Sequence, residues 1–405
     1  MLAYEFKIRA TTKQYKAIDE AIRIGQFVQN KCIRYWIDTP KANRFSLNKY
    51  CAVLAKEFDF ANKLNSMARQ SSAERAWFAI SRFYDNCKNK TKGKKGYPKF
   101  KKNCRSVEYK TCGWKLDESV NRKAITITDK TGIGRLKLKG TYDLCFYNIN
   151  QIKRVRLVRR ADGYYCQFLI AVDVKIESET TNSTVGLDVG LNDFYTDSKG
   201  KKEPNPRFYR KAEKKLKKLQ KRVSRKFKKG QTQSNNYIKA RQQLAKAHLK
   251  VSRQRKDHAV KLARCVILSN DVVVYENLSV RNMVKNHKLA KSINDVGWYQ
   301  FKVWLEYFGK KFSKITIAVA PQYTSQNCSN CGEKVEKSLS TRTHKCPHCG
   351  YTADRDENAA INILNKGLST LGHRETNAWG EKTATVAEAI QLEQVISTNQ
   401  ESPFF

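Results

Sequence analysis

Cys328-Ser329-Asn330-Cys331 and Cys346-Pro347-His348-Cys349 are two Cys-x-x-Cys pairs separated by fourteen residues. Each pair can turn two thiolates onto one tetrahedral metal, and the chain between them can close the pairs on each other as a hairpin. Glycine follows the second cysteine of each pair, at Gly332 and Gly350, where a knuckle turn needs permissive backbone angles. Four sulfurs fill the coordination sphere. The spacing therefore predicts one structural Zn2+ on Cys328, Cys331, Cys346 and Cys349, with His344 and His348 standing aside. A redox dithiol would need only one such pair. The remaining eight of the twelve cysteines are scattered and read as small apolar residues. The N-terminus, Met1-Leu2-Ala3-Tyr4-Glu5-Phe6-Lys7, alternates like a strand and carries no long apolar run. A cytoplasmic protein is expected, in a reducing compartment where disulfides are disfavoured.

Charge is the second constraint. Lys and Arg number 79 against 37 acidic residues, a formal net charge of +42. Self-repulsion of that size is tolerable when a polyanion neutralises it. Aromatic residues, 11% of the chain, supply rings that stack on unpaired bases. The expected partner is DNA or RNA, associated with the nucleoid when on target, and not a membrane. An apolar fraction of 40% over 405 residues is enough for several folded modules and argues against wholesale disorder.

Periodicity divides the chain. Apolar residues at three- and four-residue spacing predict helices from Lys13 to about Trp36 and from about Ser66 to Cys87. Asn86 to Lys102 is basic and contains glycine, ending in Gly96-Tyr97-Pro98-Lys99-Phe100-Lys101-Lys102. Either it is a solvated linker, or Tyr97, Lys99, Lys101 and Lys102 contact nucleic acid, the phosphate-contacting reading being favoured. From about Ser106 to Val174 the period is two, with a hairpin turn at Asp162-Gly163. Arg207 to Lys229, more than half Lys and Arg, predicts a very basic helix, followed by another through Ile238 to Leu268. Ser369 to Phe405 has weak periodicity and is expected to be a flexible tail.

Three acids stand out by their surroundings. Asp188 lies in the apolar run Val185-Gly186-Leu187-Asp188-Val189-Gly190, where a buried charge needs a reason. Glu276 ends Val272-Val273-Val274-Tyr275, which reads as a buried central strand. Asp354 and Asp356 precede a helix in Ala353-Asp354-Arg355-Asp356-Glu357-Asn358-Ala359-Ala360. Singly, either Asp could be an N-cap and Glu276 a strand-end salt bridge. Together they suit hard divalent ions such as Mg2+, bound by carboxylates from separate elements for phosphodiester hydrolysis.

These segments resemble the transposon-encoded TnpB proteins, relatives of the compact type V CRISPR effectors. The matching residues are Gly186-Leu187-Asp188-Val189-Gly190, Tyr275-Glu276-Asn277-Leu278, Ser292-Ile293-Asn294-Asp295-Val296-Gly297-Trp298, the two cysteine pairs, and Asp354-Arg355-Asp356-Glu357-Asn358-Ala359-Ala360, with Gly96-Tyr97-Pro98-Lys99-Phe100 extending the resemblance toward the N-terminus. It covers Met1 to about Leu364. The resemblance implies an α+β multidomain protein. Residues 1–12 and 104–180 would form a wedge-type antiparallel β-barrel, with a helical recognition lobe at 13–103 inserted. A RuvC-like (RNase H-type) α/β nuclease domain would occupy 181–320 and 352–368, with a zinc ribbon at 321–351 and a tail at 369–405. The implied catalytic and Mg2+-binding acids are Asp188, Glu276 and Asp356, with Asp354 in reserve, and two metal ions are implied. Gln70 is placed like a residue of relatives that reads the target-adjacent motif. The implied activity is cleavage of target double-stranded DNA directed by a guide RNA from the transposon end, linked to transposition. Two other functions compete: a guided DNA-binding repressor without cleavage, and transposase-type strand transfer.

Overall fold

Strand β1 (Leu2–Arg9) buries Leu2, Phe6 and Ile8 and turns the alternate positions outward, as its period of two requires. The computed structural model describes residues 2–372 except 92, 173, 174, 177 and 339. It divides into two compact units, Met1–Asp173 and Val174–Phe405.

In the first unit, α1 (Thr12–Asp38) opens on a capping box in which the Thr11 hydroxyl accepts from the Gln14 amide and the Gln14 side chain accepts from the Thr11 amide. Its buried stripe includes Ile18, Ala21, Gly25, Val28 and Cys32, the face the sequence predicts. Two helices that periodicity did not reveal follow, α2 (Arg44–Glu57) and α3 (Asp59–Asn62). Only three residues of α2 are buried, so its apolar stripe is faint, although Asn43 caps it through the amides of Phe45 and Ser46. Helix α4 (Ser66–Lys88) packs on α1 and α2.

Strands β2 (Ser106–Tyr109), β3 (Trp114–Leu116), β4 (Ala124–Ile127), β5 (Gly134–Lys139), β6 (Ile152–Arg160) and β7 (Gly163–Ile170) join β1 in one antiparallel sheet, ordered β2-β6-β7-β1-β5-β4-β3. Arg160 pairs with Gly163, so the hairpin turns through Ala161-Asp162, one residue earlier than expected.

The expected wedge-type antiparallel β-barrel does not form. Closure would require the edge strands β2 and β3 to pair, and they do not. Both are short, and groups outside the sheet take up bonds near its edges. The Arg75 guanidinium on α4 donates to the Ser106 carbonyl (3.0 Å), the Tyr109 hydroxyl donates to Asp129 (2.6 Å), and the Lys130 amide donates to the Lys63 carbonyl (2.8 Å). The sheet is open, with its β2 edge tied to α4 by side chains instead of a backbone ladder.

The second unit holds β8 (Thr184–Asp188), β9 (Asp193–Asp197), β10 (Lys202–Pro204), α5 (Phe208–Lys226), α6 (Asn235–Leu268), β11 (Val272–Glu276), α7 (Val280–Met283), α8 (Ala290–Val296), α9 (Trp298–Lys311), β12 (Ile315–Val319), β13 (Thr343–Lys345), β14 (Thr352–Asp354) and α10 (Arg355–Gly372). Its main sheet is ordered β10-β9-β8-β11-β12, with β8, β11 and β12 parallel and β9 and β10 antiparallel. Strand alternation sorts the faces. Val185, Leu187, Val273 and Tyr275 pack with Ala263 and Ile267 of α6 and with Phe301 and Leu305 of α9. Val274, Ile317 and Val319 pack with Ile363 of α10. Helices α5 and α6 zip along Leu216, Val223, Leu244 and Val251. No described helix is long and apolar enough to cross a membrane. Residues 369–372 continue α10, and the rest of the expected tail lies outside the described residues.

Candidate functional site

The second unit brings three acids to one end of its sheet. Asp188 and Glu276 end β8 and β11, neighbouring parallel strands whose last registered pair is Leu187 with Tyr275. Side chains two apart share a face. Asp188 therefore shares a face with Gly186, and Glu276 with Val274, and that is the face α10 covers. The helix lies close: a Cβ on Gly186 would collide with the Ala360 carbonyl and stand 2.8 Å from the Leu364 amide nitrogen. On the helix side, a Cβ on Gly367 would meet Val274 methyls at 2.5 Å. Glycine on the strand at one crossing and on the helix at the other fixes how α10 lies. Asp356 stands one turn before Ala360, toward the end of the sheet where Asp188 and Glu276 emerge.

The electrostatics agree. Burial, then repulsion from Glu276 and Asp356, pushes the Asp188 carboxyl well above the usual range. Burial likewise raises Glu276, partly offset by the Thr324 hydroxyl, which donates to its Oε1 at 2.6 Å. A buried Asp188 carboxyl with the charges of Glu276 and Asp356 beside it, all hard oxygen donors, fits a divalent cation of the Mg2+ class. These acids are a looser set than the thiolates described below.

Asp354 has other duties. Its Oδ1 accepts from the amides of Asp356 (2.9 Å) and Glu357 (3.4 Å), capping α10, while Oδ2 pairs with the Lys202 ammonium at 2.6 Å. Burial alone would raise this carboxyl, but the Lys202 hydrogen bond and the amides hold it below the usual range. Asp356 has a looser neighbour, Arg342, at 3.7 Å.

Cys328, Cys331, Cys346 and Cys349 gather with all four sulfurs within 4.8 Å of one another, the one group of that closeness among the described residues. Neither His344 nor His348 belongs to it. The knuckles are built alike: the Gly332 amide donates to Cys328 O and the Gly350 amide to Cys346 O, at φ of 82° and 74°. The Tyr351 amide and the Asn330 side chain favour thiolate at Cys349, lowering it to about 6. The cluster can hold a structural metal.

The sequence-predicted nucleic-acid residues lie in the first unit. Gln70 is half-buried on α4. Tyr97 is 52% exposed, its ring against Trp36 and Phe83, and Lys99, Lys101 and Lys102 are exposed. Asn30 clamps this loop, donating to the Lys101 carbonyl (2.9 Å) and accepting from its amide (2.7 Å). Sequence reasoning missed Thr324, Lys202 and the glycine contacts. No local signal marks a single loop threonine or a glycine's crossing partner.

Two family models match the chain: one described as "Probable transposase" over residues 167–287, and "Cas12f1-like, TNB domain" over residues 298–363. A Streptomyces pristinaespiralis protein named "Putative RNA-guided DNA endonuclease" is 35% identical over 217 residues, 53% of this chain and 53% of that protein. The Escherichia coli K12 protein "Putative RNA-guided DNA endonuclease InsQ" is 29% identical over 301 residues, 70% of this chain and 72% of that one. These matches support a resemblance to the TnpB and Cas12f family over residues 167–287 and 298–363. The chain's alignment spans about half the length of the Streptomyces protein. The fold also resembles the Cas12f1 chain of a Cas12f1-sgRNA-target DNA complex, with a TM-score of 0.53 and 16% identity over 87% of this chain and 82% of that one. The mini-RNA-guided endonuclease CRISPR-Cas_phi3 gives a TM-score of 0.55 at 9% identity over 91% and 92% of the two chains.

Proposed function

We propose that this chain is an RNA-guided DNA endonuclease, directed by a guide RNA to target double-stranded DNA, which it cleaves at Asp188, Glu276 and Asp356. The observation that carries the reading is the packing of α10 on the Gly186 face, one turn from Asp356 and on the side where Asp188 and Glu276 emerge. The names of the Streptomyces and Escherichia coli relatives support it, and so does the charge of +42.

The acids would hold Mg2+, two ions in the fullest version, which would activate water and stabilise the leaving 3′ oxygen. The protein's own residues hold the acids in place: Asp354 ends the helix bearing Asp356, Lys202 balances Asp354, and Thr324 orients Glu276. Asp356 is preferred over Asp354 as third ligand because both Asp354 oxygens are engaged. The four-cysteine cluster would hold Zn2+ as a structural brace. Residues 1–12 and 104–180, with 13–103, are assigned to guide and target recognition, including contacts from Gln70, Tyr97, Lys99, Lys101 and Lys102. Residues 181–320 and 352–368 are assigned to cleavage, and 321–351 to the metal-bound ribbon. Base pairing would read the sequence while lysines and arginines grip phosphates.

The test is cleavage of a target library with randomised flanks in Mg2+, using protein expressed with its native downstream DNA beside an Asp188→Ala control. Cutting that needs both the copurified RNA and Asp188 is expected. RNA-directed binding without cutting would replace the proposal with a repressor, and joined DNA ends would replace it with strand transfer.

A further inference from the structure

Residues 320–327, between β12 and the first knuckle, run as a strap along α10. The helix presents Asn358, Asn362 and Lys366 at four-residue spacing on one face. Asn358 donates to the Asn327 carbonyl (2.8 Å) and accepts from the Ser329 amide (2.9 Å). Asn362 donates to the carbonyls of Thr324 (2.9 Å) and Asn327 (2.7 Å), and Lys366 to that of Gln322 (2.5 Å). Asn358 is fully buried and Thr324 is 3% exposed.

Thr324 thus has its backbone bound to the helix that bears Asp356 and its hydroxyl bound to Glu276 on β11. That hydroxyl has one proton. Pro321 O lies 3.1 Å away and is neutral, whereas Glu276 Oε1 is at 2.6 Å and can be charged, so the proton goes to the carboxylate.

We propose that Thr324 is a positioning residue for Glu276, held in place by Asn362, so that the strap between β12 and the knuckle sets the geometry of the metal-binding acids. The inference rests on the reading of Glu276 as a ligand. A strand-end glutamate otherwise explores several rotamers. With Oε1 held by Thr324, the plane of the carboxylate is set before a cation arrives.

The test is Mn2+ binding to the full-length protein, followed by electron paramagnetic resonance of free Mn2+, with zinc content and thermal melting measured on every variant. Thr324→Val is expected to weaken Mn2+ binding by about tenfold or more, the scale on which outer partners of metal ligands act. Thr324→Ser, which keeps the hydroxyl, restores it, and Asn362→Ala weakens it as Thr324→Val does. Wild-type binding in Thr324→Val while Glu276→Gln binds poorly would overturn this inference and leave the site reading standing. Wild-type binding in Glu276→Gln would overturn both. If Thr324→Val does not fold, Asn362→Ala decides: unchanged Mn2+ binding there overturns the inference.

Discussion

Asp354 and Asp356 sit two residues apart in one motif and are chemically identical, yet their surroundings separate them. Asp354 spends both oxygens on helix amides and Lys202. Asp356→Ala should therefore lower DNA cleavage by more than about 100-fold, beyond the range of an outer-partner loss, with melting unchanged. Asp354→Ala should instead cost about 1 kcal/mol of stability, as an uncapped helix does, and retain measurable cutting. Asp188 makes a second distinction. Its folded carboxyl is raised by burial and by the neighbouring acids, so the protonated form stabilises the protein below about pH 4, the ordinary carboxylate value, and that contribution is lost as pH rises through the folded value. Asp188→Asn should accordingly stabilise the protein without added Mg2+ by about 1 kcal/mol at neutral pH, and by much less at pH 4, in thermal melts. The sequence marked Asp188 as an acid in an apolar run. It did not divide the labour between Asp354 and Asp356, because hydrogen bonds to amides and to Lys202 are made only after folding.

Among the elements, α10 shows how packing sets chemistry. Adding one methyl at Gly186 drives it into the Ala360 carbonyl, which is backbone and cannot rotate aside. Gly186→Ala should cost about 1–3 kcal/mol of stability in denaturant unfolding and reduce cleavage further than that loss explains, because α10 carries Asp356 with it. Helix α5 has a comparable debt to a distant residue. Arg207, at its N-cap, makes no capping bond, and the buried Asp295 on α8 accepts instead from the amides of Tyr209 (2.8 Å) and Arg210 (3.1 Å). Asp295 lies in a segment that the resemblance marked without saying why. In the first unit, Glu108 on β2 is 3% exposed and faces Arg75, Arg154 and Arg156. Burial would raise its carboxyl, but those guanidiniums hold it well below the usual range. Its contribution is present above about pH 4 and is lost as pH falls toward the folded value. Glu108→Ala should cost about 3–5 kcal/mol at neutral pH, read from urea unfolding, because three cations lose their shared buried partner.

For the whole molecule, the charge of +42 makes a prediction independent of any one residue. Affinity for guide RNA should fall about a thousandfold or more between 50 and 200 mM salt, measured by filter binding, as counterion release requires for six or more phosphate contacts. That charge, the paired cysteines and the long helices were legible in the sequence because each is a local property. Thiolate spacing closes a knuckle over a few residues, and the apolar stripes of α1, α4 and α6 repeat every turn. The barrel expectation failed for the converse reason. Strands in an open sheet and in a barrel share the same period of two, and only the long-range pairing of β2 with β3, which does not occur, would tell them apart. The strap obeys the same logic: Asn358, Asn362 and Lys366 are regularly spaced in the sequence, but their acceptors lie 31, 38 and 44 residues upstream. The sequence by itself determined the four clustered cysteines, through their spacing, and named candidate acids and basic residues. Tertiary structure alone decided which acids converge, which one caps a helix, and which threonine meets Glu276, because those outcomes depend on how elements far apart in the chain come into contact.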